Sequence, residues 1–347
     1  MTHITTYNQP ILNLSLQQID ELVISLGEKS FRAQQIADWI YARHAASYDE
    51  MTNVSKTLRE KLAAQAPLTR AQIVEKQVSE DGTRKYLMEY SDGVCVEAVG
   101  LPTEDRLTVC MSSQAGCAMG CVFCATGQAG FTRNLFPGEM TEQVRLIAQD
   151  FDRRVTNVVV MGQGEPFLNY DAVINALHVI NNPRYFNIGA RHITISTCGI
   201  ISGIDRLAQE PEQFTLAVSL HSAVQATRDN LMPGVAQQTL PRLRQTLIAY
   251  FEKTGRRPSL EYTLIEGKQT SQKEIDALTK FASGLNLHVN LIPVNPAGNS
   301  SIMPPSPQEI SALKLRLDHA HINATVRTER GADIAAACGQ LAQQRKQ

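Results

Sequence analysis

Residues 110–127 read CMSSQAGCAMGCVFCATG, and within them Cys117, Cys121 and Cys124 are spaced C-x3-C-x2-C. Three thiols within eight residues need a common partner, and cysteine thiolates in proteins hold zinc or iron–sulfur clusters. Closed sites of these kinds use four ligands, and no fourth cysteine or histidine completes this pattern nearby. A four-iron cluster on three cysteines would leave one iron open for chemistry. The alternatives are a zinc site with a distant fourth ligand and three unrelated thiols.

The composition is that of an ordinary globular protein. The 347 residues, 43% hydrophobic and 19% charged, suffice for one large domain and a small one. No run of 18 apolar residues and no basic-then-apolar leader is visible, so we expect a cytoplasmic protein without a membrane span. Seven cysteines, three of them clustered, fit a reducing compartment. A net charge of −1 argues against a nucleic-acid coat protein but leaves room for a local basic groove.

Residues 1–90 have the pattern of a helical module. Apolar residues recur at helical spacing over 19–26 and 33–40, Ser55 can cap a third helix, and a strand or two follow. Seven lysines and arginines fall on or between these helices. They form either a solvated charged face or a surface that contacts RNA. We predict that residues 1–90 are a helical, RNA-binding accessory domain.

From residue 91 onward, short apolar runs alternate with helical patterns, which is the order of β-α units. Capping boxes at Ser271 and Ser306 begin two of the helices. We predict an α/β fold in which residues 91–347 form a partial parallel barrel of the TIM type. The active site of such a barrel lies at the C-terminal ends of its strands. The expected strands are 94–99, 107–111, 157–161, 192–196, 215–219, 259–264, 289–293 and 324–327.

Polar motifs follow five of these strands. Cys117 comes after the second strand, and GQGEP (162–166), STCG (196–199) and SLH (219–221) follow or end the next three. Asn295 follows the strand at 289–293. Five independent polar motifs at strand ends are hard to explain by packing, so we expect them to meet in one site.

These motifs resemble the RlmN/Cfr family of radical S-adenosylmethionine (SAM) RNA methyltransferases over nearly the whole chain. Glu165 is followed by Pro166, as in RlmN, where Cfr tends to carry alanine. Two residues depart from the family pattern: Gln163 stands where methionine is common, and Cys198 where serine or another small residue is common. The resemblance rests on the cysteine stretch and on MGQGEPFLN (161–169), ISTCGI (195–200), SLH (219–221), NLIPVNP (290–296) and RGADIAAACGQL (330–341).

The resemblance implies a radical SAM barrel with two cofactors. Cys117, Cys121 and Cys124 match the ligands of a [4Fe–4S] cluster whose open iron takes the amino and carboxylate groups of SAM. Two SAM molecules are used per turnover, one as methyl donor and one cleaved to a 5′-deoxyadenosyl radical. The residues that match the SAM contacts are Gly164, Glu165, Ser196, Ser219, Leu220, His221 and Asn295.

The resemblance also implies roles for three residues outside the cluster. Cys338 matches the cysteine that accepts a methyl group from SAM, and Cys110 matches its disulfide partner, which frees the product. Carbon 2 of adenine has no nucleophilic lone pair, so the new carbon must arrive as a radical. Glu97 matches the base that removes the ring proton. From its place in an apolar strand alone, Glu97 would more often lie on an exposed strand face.

The implied substrate is an adenosine of 23S rRNA, with the adenosine beside the tRNA anticodon as a second one, since ring chemistry needs an unstacked base. We expect an external electron donor such as flavodoxin or ferredoxin, a monomeric protein, and phosphate contacts from Arg327 and Arg330. Three alternatives stay open. They are Cfr-like methylation of carbon 8, a non-catalytic metal-binding or electron-transfer protein, and a radical SAM enzyme acting on a peptide or small molecule.

Overall fold

The computed structural model describes residues 9–295 and 302–342, and its centre is a ten-stranded sheet. A separate two-stranded hairpin pairs β5 (Gln114–Gly116) with β6 (Phe131–Asn134). In their order across the sheet, the ten strands are β1 (Gln72–Val78), β2 (Arg84–Glu89), β3 (Cys95–Pro102), β4 (Leu107–Cys110), β7 (Asn157–Val160), β8 (Ile193–Thr197), β9 (Thr215–Ser219), β10 (Ser259–Leu264), β11 (His288–Pro293) and β12 (Ala324–Val326).

The sheet has a parallel and an antiparallel part. From β4 through β7 to β12, neighbouring strands run parallel, whereas β1 to β4 form an antiparallel extension. The described strands leave the sheet open, with β1 and β12 at its edges. This confirms the predicted partial barrel and all eight strands expected after residue 90. The hairpin of β5 and β6 was not predicted, because three or four residues are too few to show an alternating pattern.

Helices alternate with the parallel strands. The capping box predicted at Ser306 is complete, with Glu309 accepting from the Ser306 nitrogen at 2.9 Å. The one predicted at Ser271 is only half formed, because the buried Glu274 carboxylate turns inward to Ser222. The helices are α1 (Leu16–Ser25), α2 (Phe31–Ala37), α3 (Lys56–Gln65), α4 (Ala125–Ala129), α5 (Pro137–Phe151), α6 (Tyr170–Asn181), α7 (Ile201–Leu207), α8 (Gln225–Leu231), α9 (Leu240–Thr254), α10 (Gln272–Ala282) and α11 (Pro307–His319).

No helix in the described ranges combines the length and the apolar character needed to cross a membrane.

The helices α1 to α3 enclose a hydrophobic core of their own. The boundary predicted at residue 90 falls inside the sheet, because β1 and β2 pair with β3, and we therefore propose a boundary near residue 70. Arg70 joins the two parts. It forms an ion pair with Glu142 on α5 at 2.8 Å and donates hydrogen bonds to the carbonyl groups of Ile40 and Ala45. Both side chains of the pair are largely buried, at 14% and 3% exposure.

After β12 the chain returns across the antiparallel part of the sheet. Val99 on β3 stands opposite Cys110 on β4, so their side chains share one face. Ala336 and Leu341 pack against this face in a small hydrophobic cluster. The packing places the segment that carries Cys338 directly over the end of β4.

Candidate active site

The three-cysteine loop lies between β5 and α4, and two glycines determine its path. Gly116 has φ +75°, and a Cβ there would lie 2.0 Å from the carbonyl oxygen of Gly130. A Cβ on Gly127 would lie 2.8 Å from the nitrogen of Cys121. Glycine is the residue that permits both the positive φ and these close backbone approaches. The loop is thereby folded tightly enough to bury Cys117 and Cys121.

All three cysteines line one cavity, together with residues at the ends of β7, β8, β9 and β10. Their sulfur atoms do not all lie within 4.8 Å of one another. A tetrahedral zinc ion would hold thiolate sulfurs about 3.8 Å apart, from a Zn–S distance of about 2.3 Å. The wider spacing and the all-thiolate donor set fit a [4Fe–4S] cluster in which each cysteine binds a different iron.

A fourth thiol lies against this loop, which the spacing of the sequence did not show. Cys198 follows β8 and lines the same cavity. A hydrogen bond with Cys121, together with burial, holds the pKa of Cys198 well above its usual range. The same hydrogen bond lowers the pKa of Cys121. Cys198 is thus paired with one of the thiols of the cluster loop, a contact that residue spacing did not indicate.

Glu165 is buried at the end of β7 with its carboxylate partly occupied. Its Oε1 accepts from the Phe167 nitrogen at 3.0 Å and from Thr197 Oγ1 at 2.8 Å, and its Oε2 accepts from the Cys198 nitrogen at 2.6 Å. Burial raises the pKa of Glu165, and these hydrogen bonds oppose the rise. A carboxylate has about four acceptor positions, so one remains for a donor in the cavity. Gly164, at φ +104°, brings the backbone to this point.

His221 faces the cavity as a neutral side chain with a defined tautomer. Its Nδ1 accepts from the Thr263 nitrogen at 3.0 Å, so the proton resides on Nε2. The Phe123 ring packs edge-on against it at 4.7 Å between centroids. Burial lowers the pKa of His221 to about 3, with a smaller contribution from Arg228. At neutral pH His221 is therefore a hydrogen-bond donor without charge.

The other predicted SAM contacts divide into two groups. Ser196, Ser219 and Asn295 line the cavity, as expected. Leu220 does not: its side chain is fully buried in the main core, and its nitrogen donates to the Glu261 carbonyl oxygen at 3.0 Å. A leucine between two polar strand-end residues points to the opposite side of the chain, which accounts for the difference.

Glu261 and Thr263 also line the cavity, although neither was predicted as a site residue, and Arg327, expected at a phosphate, lines it as well. Glu261 accepts from Asn290 at 2.9 Å through Oε1, and its buried Oε2 has no hydrogen-bond partner among the described residues. The sequence does indicate Glu261, because it is a charged residue inside an apolar strand, as Glu97 is.

Cys338, Cys110 and Arg327 meet at a second cavity, which adjoins the first and has a volume of about 390 Å³. All the cysteines are free thiols, so the predicted Cys110–Cys338 disulfide is not formed. Burial raises the pKa of Cys110 to about 12, the charge of Cys338 adds to the rise, and Arg327 opposes it. The pKa of Arg327 is in turn raised chiefly by Cys338. The guanidinium thus lies beside both thiols.

The C-terminal segment is tied to the cluster loop by its backbone. The Ala125 nitrogen donates to the Gly339 carbonyl oxygen at 2.7 Å, and Thr126 Oγ1 donates to that of Leu341 at 2.6 Å. Asn295 Nδ2 donates to the Cys338 carbonyl oxygen at 3.3 Å. These contacts hold the exposed Cys338 thiol where both cavities meet.

Glu97 is 4% exposed, which rules out the exposed strand face. Its Oε1 lies 3.3 Å from Lys85 Nζ, and its Oε2 accepts from the Ala342 nitrogen at 2.6 Å. Glu97 is not among the residues that line either cavity in the described structure. It lies beneath the segment that carries Cys338.

Arg330, which was expected to contact phosphate, is engaged within the folded chain. Its Nε and Nη2 donate to Asp81, and its Nη1 donates to the Pro102 carbonyl oxygen at 2.6 Å. Arg330 therefore fastens the C-terminal segment to the β1–β2 turn. Arg327 is half-buried between Cys338 and Glu261, where the pKa of the guanidinium is raised by both.

Comparison with known proteins identifies the family of the chain. Residues 9–68 match the RlmN N-terminal domain, described as the ribosomal RNA large subunit methyltransferase N-terminal domain, and residues 111–244 match the radical SAM superfamily. The first match ends close to the boundary proposed from the fold.

Relatives that match nearly the whole chain belong to the same family. The chain is 43% identical to the "Probable dual-specificity RNA methyltransferase RlmN" of Lysinibacillus sphaericus, over 97% of this chain and 90% of that protein. It is also 43% identical to the protein of the same name from Synechococcus elongatus, over 96% and 93%. A crystal structure of a radical SAM methyltransferase from Sphaerobacter thermophilus superposes with a TM-score of 0.90 at 42% identity, covering 97% of this chain and all of that one.

These matches confirm the predicted cofactors, a [4Fe–4S] cluster and SAM, and the enzymatic character of the protein. A zinc site and a non-catalytic electron-transfer protein are thereby excluded. The chain belongs to the RlmN family of radical SAM RNA methyltransferases.

Proposed function

We propose that this protein methylates carbon 2 of an adenine in RNA, with an adenosine of 23S rRNA and the adenosine beside the tRNA anticodon as its substrates. One observation carries the proposal. Cys338 lies where the cavity of the three clustered cysteines adjoins the cavity that contains Cys110. A methyl carrier, its resolving thiol and a site for radical generation are thus within reach of one another.

In this proposal Cys117, Cys121 and Cys124 hold the cluster. When bound, the cluster supplies the electron that cleaves SAM to a 5′-deoxyadenosyl radical. The buried position of the loop excludes water, which protects a reactive species from side reactions. Cys198 supports Cys121 through its hydrogen bond.

The strand-end residues suit the functional groups of SAM. The free acceptor position of Glu165 matches the SAM ammonium group, and Gly164 allows the backbone to approach it. The Nε2–H of His221 and the hydroxyl groups of Ser196 and Ser219 match the ribose hydroxyls. Asn295 completes the proposed set.

The carrier chemistry follows from two thiols. The Cys338 thiolate, beside the positive charge of Arg327, displaces the methyl group of the first SAM and leaves S-adenosylhomocysteine. With the radical that the bound cluster and SAM would supply, the S-methyl group of Cys338 would lose a hydrogen atom and bond carbon 2 of the adenine, and the unpaired electron of the adduct would return to the cluster. Cys110 would then attack the Cys338 sulfur, so that an S–S bond forms as the C–S bond breaks and the released carbon takes a proton to become the methyl group.

Glu97 is proposed as the base that takes the proton from carbon 2. In the resting structure its carboxylate is engaged with Lys85 and with the backbone of Ala342. The hydrogen bond to Ala342 must break before Glu97 can reach a substrate. We therefore place the movement of residues 332–342 before proton removal.

We further propose that the helical region before residue 70 contacts the RNA. Lys29, Arg32 and Arg43 are exposed or half-exposed there, and Arg43 stacks on Trp39 at 4.3 Å, an arrangement suited to bases and phosphates. We also propose that the enzyme acts in the cytoplasm as a monomer and receives electrons from flavodoxin or ferredoxin.

The test is anaerobic reconstitution with iron and sulfide, followed by incubation with SAM, a reductant and protein-free 23S rRNA or tRNA. Digested RNA is analysed by chromatography and mass spectrometry. We expect 2-methyladenosine with the wild type and with Cys95→Ala, which alters a cysteine outside the two cavities, and none with Cys338→Ala. Methylation at carbon 8, or release of 5′-deoxyadenosine without an RNA product, would refute the proposed reaction.

A further inference from the structure

Arg228 on α8 is a fully buried cation with too few partners. Its exposure is 0%, and its Nη2 donates to the Cys198 carbonyl oxygen at 2.6 Å. Its Nε and Nη1 atoms are buried without a hydrogen-bond partner among the described residues. A guanidinium stays protonated in proteins, and a buried charge without compensation destabilises the fold strongly. The folded chain alone therefore does not explain Arg228.

The groups around Arg228 indicate what compensates its charge. Burial lowers the pKa of Arg228, and Cys198, Asp229 and Cys121 act in the opposite direction, which places these three groups near the guanidinium. Asp229 is half-buried and accepts from Gln225 at 2.7 Å. The remaining two groups are thiols at the cluster loop.

The element that carries Arg228 packs directly on the loop. The Val122 nitrogen donates to the Leu231 carbonyl oxygen at 3.0 Å, and the Gly234 nitrogen donates to that of Met119 at 2.9 Å. A Cβ on Gly234 would lie 2.7 Å from the Met119 backbone. Arg228 is thus held against the backbone of Cys198, on a helix whose C-terminal end is hydrogen-bonded to the cluster loop.

We infer that Arg228 is the counter-charge of the iron–sulfur cluster and favours its reduced state. The inference rests on the proposed assignment of Cys117, Cys121 and Cys124 as ligands. A [4Fe–4S] cluster with three thiolates is anionic, and one-electron reduction adds a further negative charge. A fixed buried cation stabilises the more negative state more, so it raises the reduction potential. Arg228 is a positioning residue that makes the cluster easier to reduce before SAM cleavage.

The experiment compares the wild type with Arg228→Met, which removes the charge, and Arg228→Lys, which keeps it. Each protein is reconstituted anaerobically, iron and sulfide are quantified, and the cluster is titrated potentiometrically with dithionite and mediators in the absence of SAM. We expect the equilibrium constant for one-electron reduction to fall at least tenfold in Arg228→Met, or 59 mV. Arg228→Lys should stay within threefold of the wild type.

Thermal unfolding of the cluster-free proteins provides a second readout. If Arg228 serves the cluster, apo Arg228→Met unfolds at the same or a higher temperature than the apo wild type, because an uncompensated buried charge has been removed. A purely structural arginine would give the opposite result.

Each outcome either supports the inference or overturns it. A cluster retained by Arg228→Lys but lost by a stably folded Arg228→Met would also support the inference. An unchanged potential in Arg228→Met, equal shifts in both variants, or loss of the cluster from both would overturn it. A wild type that takes up no four-iron cluster would overturn the ligand assignment as well, which distinguishes failure of the proposed function from failure of this inference alone.

Discussion

The thiol of Cys110, proposed above as the resolving thiol, should be almost entirely protonated at rest. Burial, reinforced by Cys338, raises the pKa of Cys110 from an ordinary value of 9.0 to about 12. This difference corresponds to about 4 kcal/mol in favour of the neutral thiol. At pH 8 the thiolate fraction of Cys110 is then about one in ten thousand, against about one in ten for an ordinary thiol. Because only the thiolate reacts, alkylation should be about a thousandfold slower.

The assay is pulsed alkylation of the reconstituted protein with iodoacetamide between pH 7 and pH 10, read for each cysteine by peptide mass spectrometry. We expect the rate at Cys110 to rise tenfold per pH unit with no plateau up to pH 10. Poor access of the reagent would slow the reaction at every pH but would not move the plateau, so the pH profile isolates the ionisation. Cys95, which lines neither cavity, reports the behaviour of the reagent.

Two variants test the cause. Cys338→Ala removes the charge that raises the pKa of Cys110, so its profile should shift to lower pH. Arg327→Met removes the charge that lowers it, so its profile should shift to higher pH. A plateau below pH 10 in the wild type, or shifts of the opposite sign in the variants, would refute the electrostatic account.

Three further outcomes are expected. Gly116→Ala, which places a Cβ 2.0 Å from a carbonyl oxygen, should lose most of its cluster after reconstitution, whereas Gly27→Ala, with a similar positive φ but open surroundings, should keep full iron content. The pKa of His221 is about 6.5 in the unfolded chain and about 3 in the folded one, so the unfolded chain takes up a proton first as the pH falls. Below pH 6.5 the free energy of unfolding, measured with urea, should therefore decrease by about 1.4 kcal/mol per pH unit more in the wild type than in His221→Gln. Arg70→Met, which breaks a buried ion pair, should cost about 3–5 kcal/mol by urea denaturation, and exposed Lys56→Met less than about 1 kcal/mol.

The elements that were predictable from sequence have local causes. The strands β7 to β11 are short segments rich in apolar residues and bounded by polar motifs, which is the pattern typical of parallel strands. Because parallel strands end at one edge of the sheet, the polar motifs at residues 162–166, 196–199 and 219–221 had to meet, and they do. The fold class alone therefore predicts that these motifs lie together.

The features that were not predictable depend on contacts distant in sequence. Arg228 lies more than a hundred residues from Cys121, and nothing in the residues around it distinguishes a buried guanidinium from a surface one. The burial of Glu97 depends on Ala342, and Arg330 is occupied by Asp81. In each case the partner is supplied by tertiary packing, which residue spacing does not encode.

The C-terminal segment connects Cys338, the proposed methyl carrier, to Glu97, the proposed base. Leu341 packs over the face of β3, the Ala342 nitrogen occupies Glu97, and Cys338 lies only four residues away with its thiol exposed. A displacement of the whole segment would free the Glu97 carboxylate and also change the position of the Cys338 sulfur relative to Cys110. We therefore expect the proposed proton acceptance by Glu97 and the proposed attack by Cys110 to depend on each other. The low thiolate fraction of Cys110 at rest fits this coupling, since burial, and after it the charge of the neighbouring Cys338, raises the pKa of Cys110.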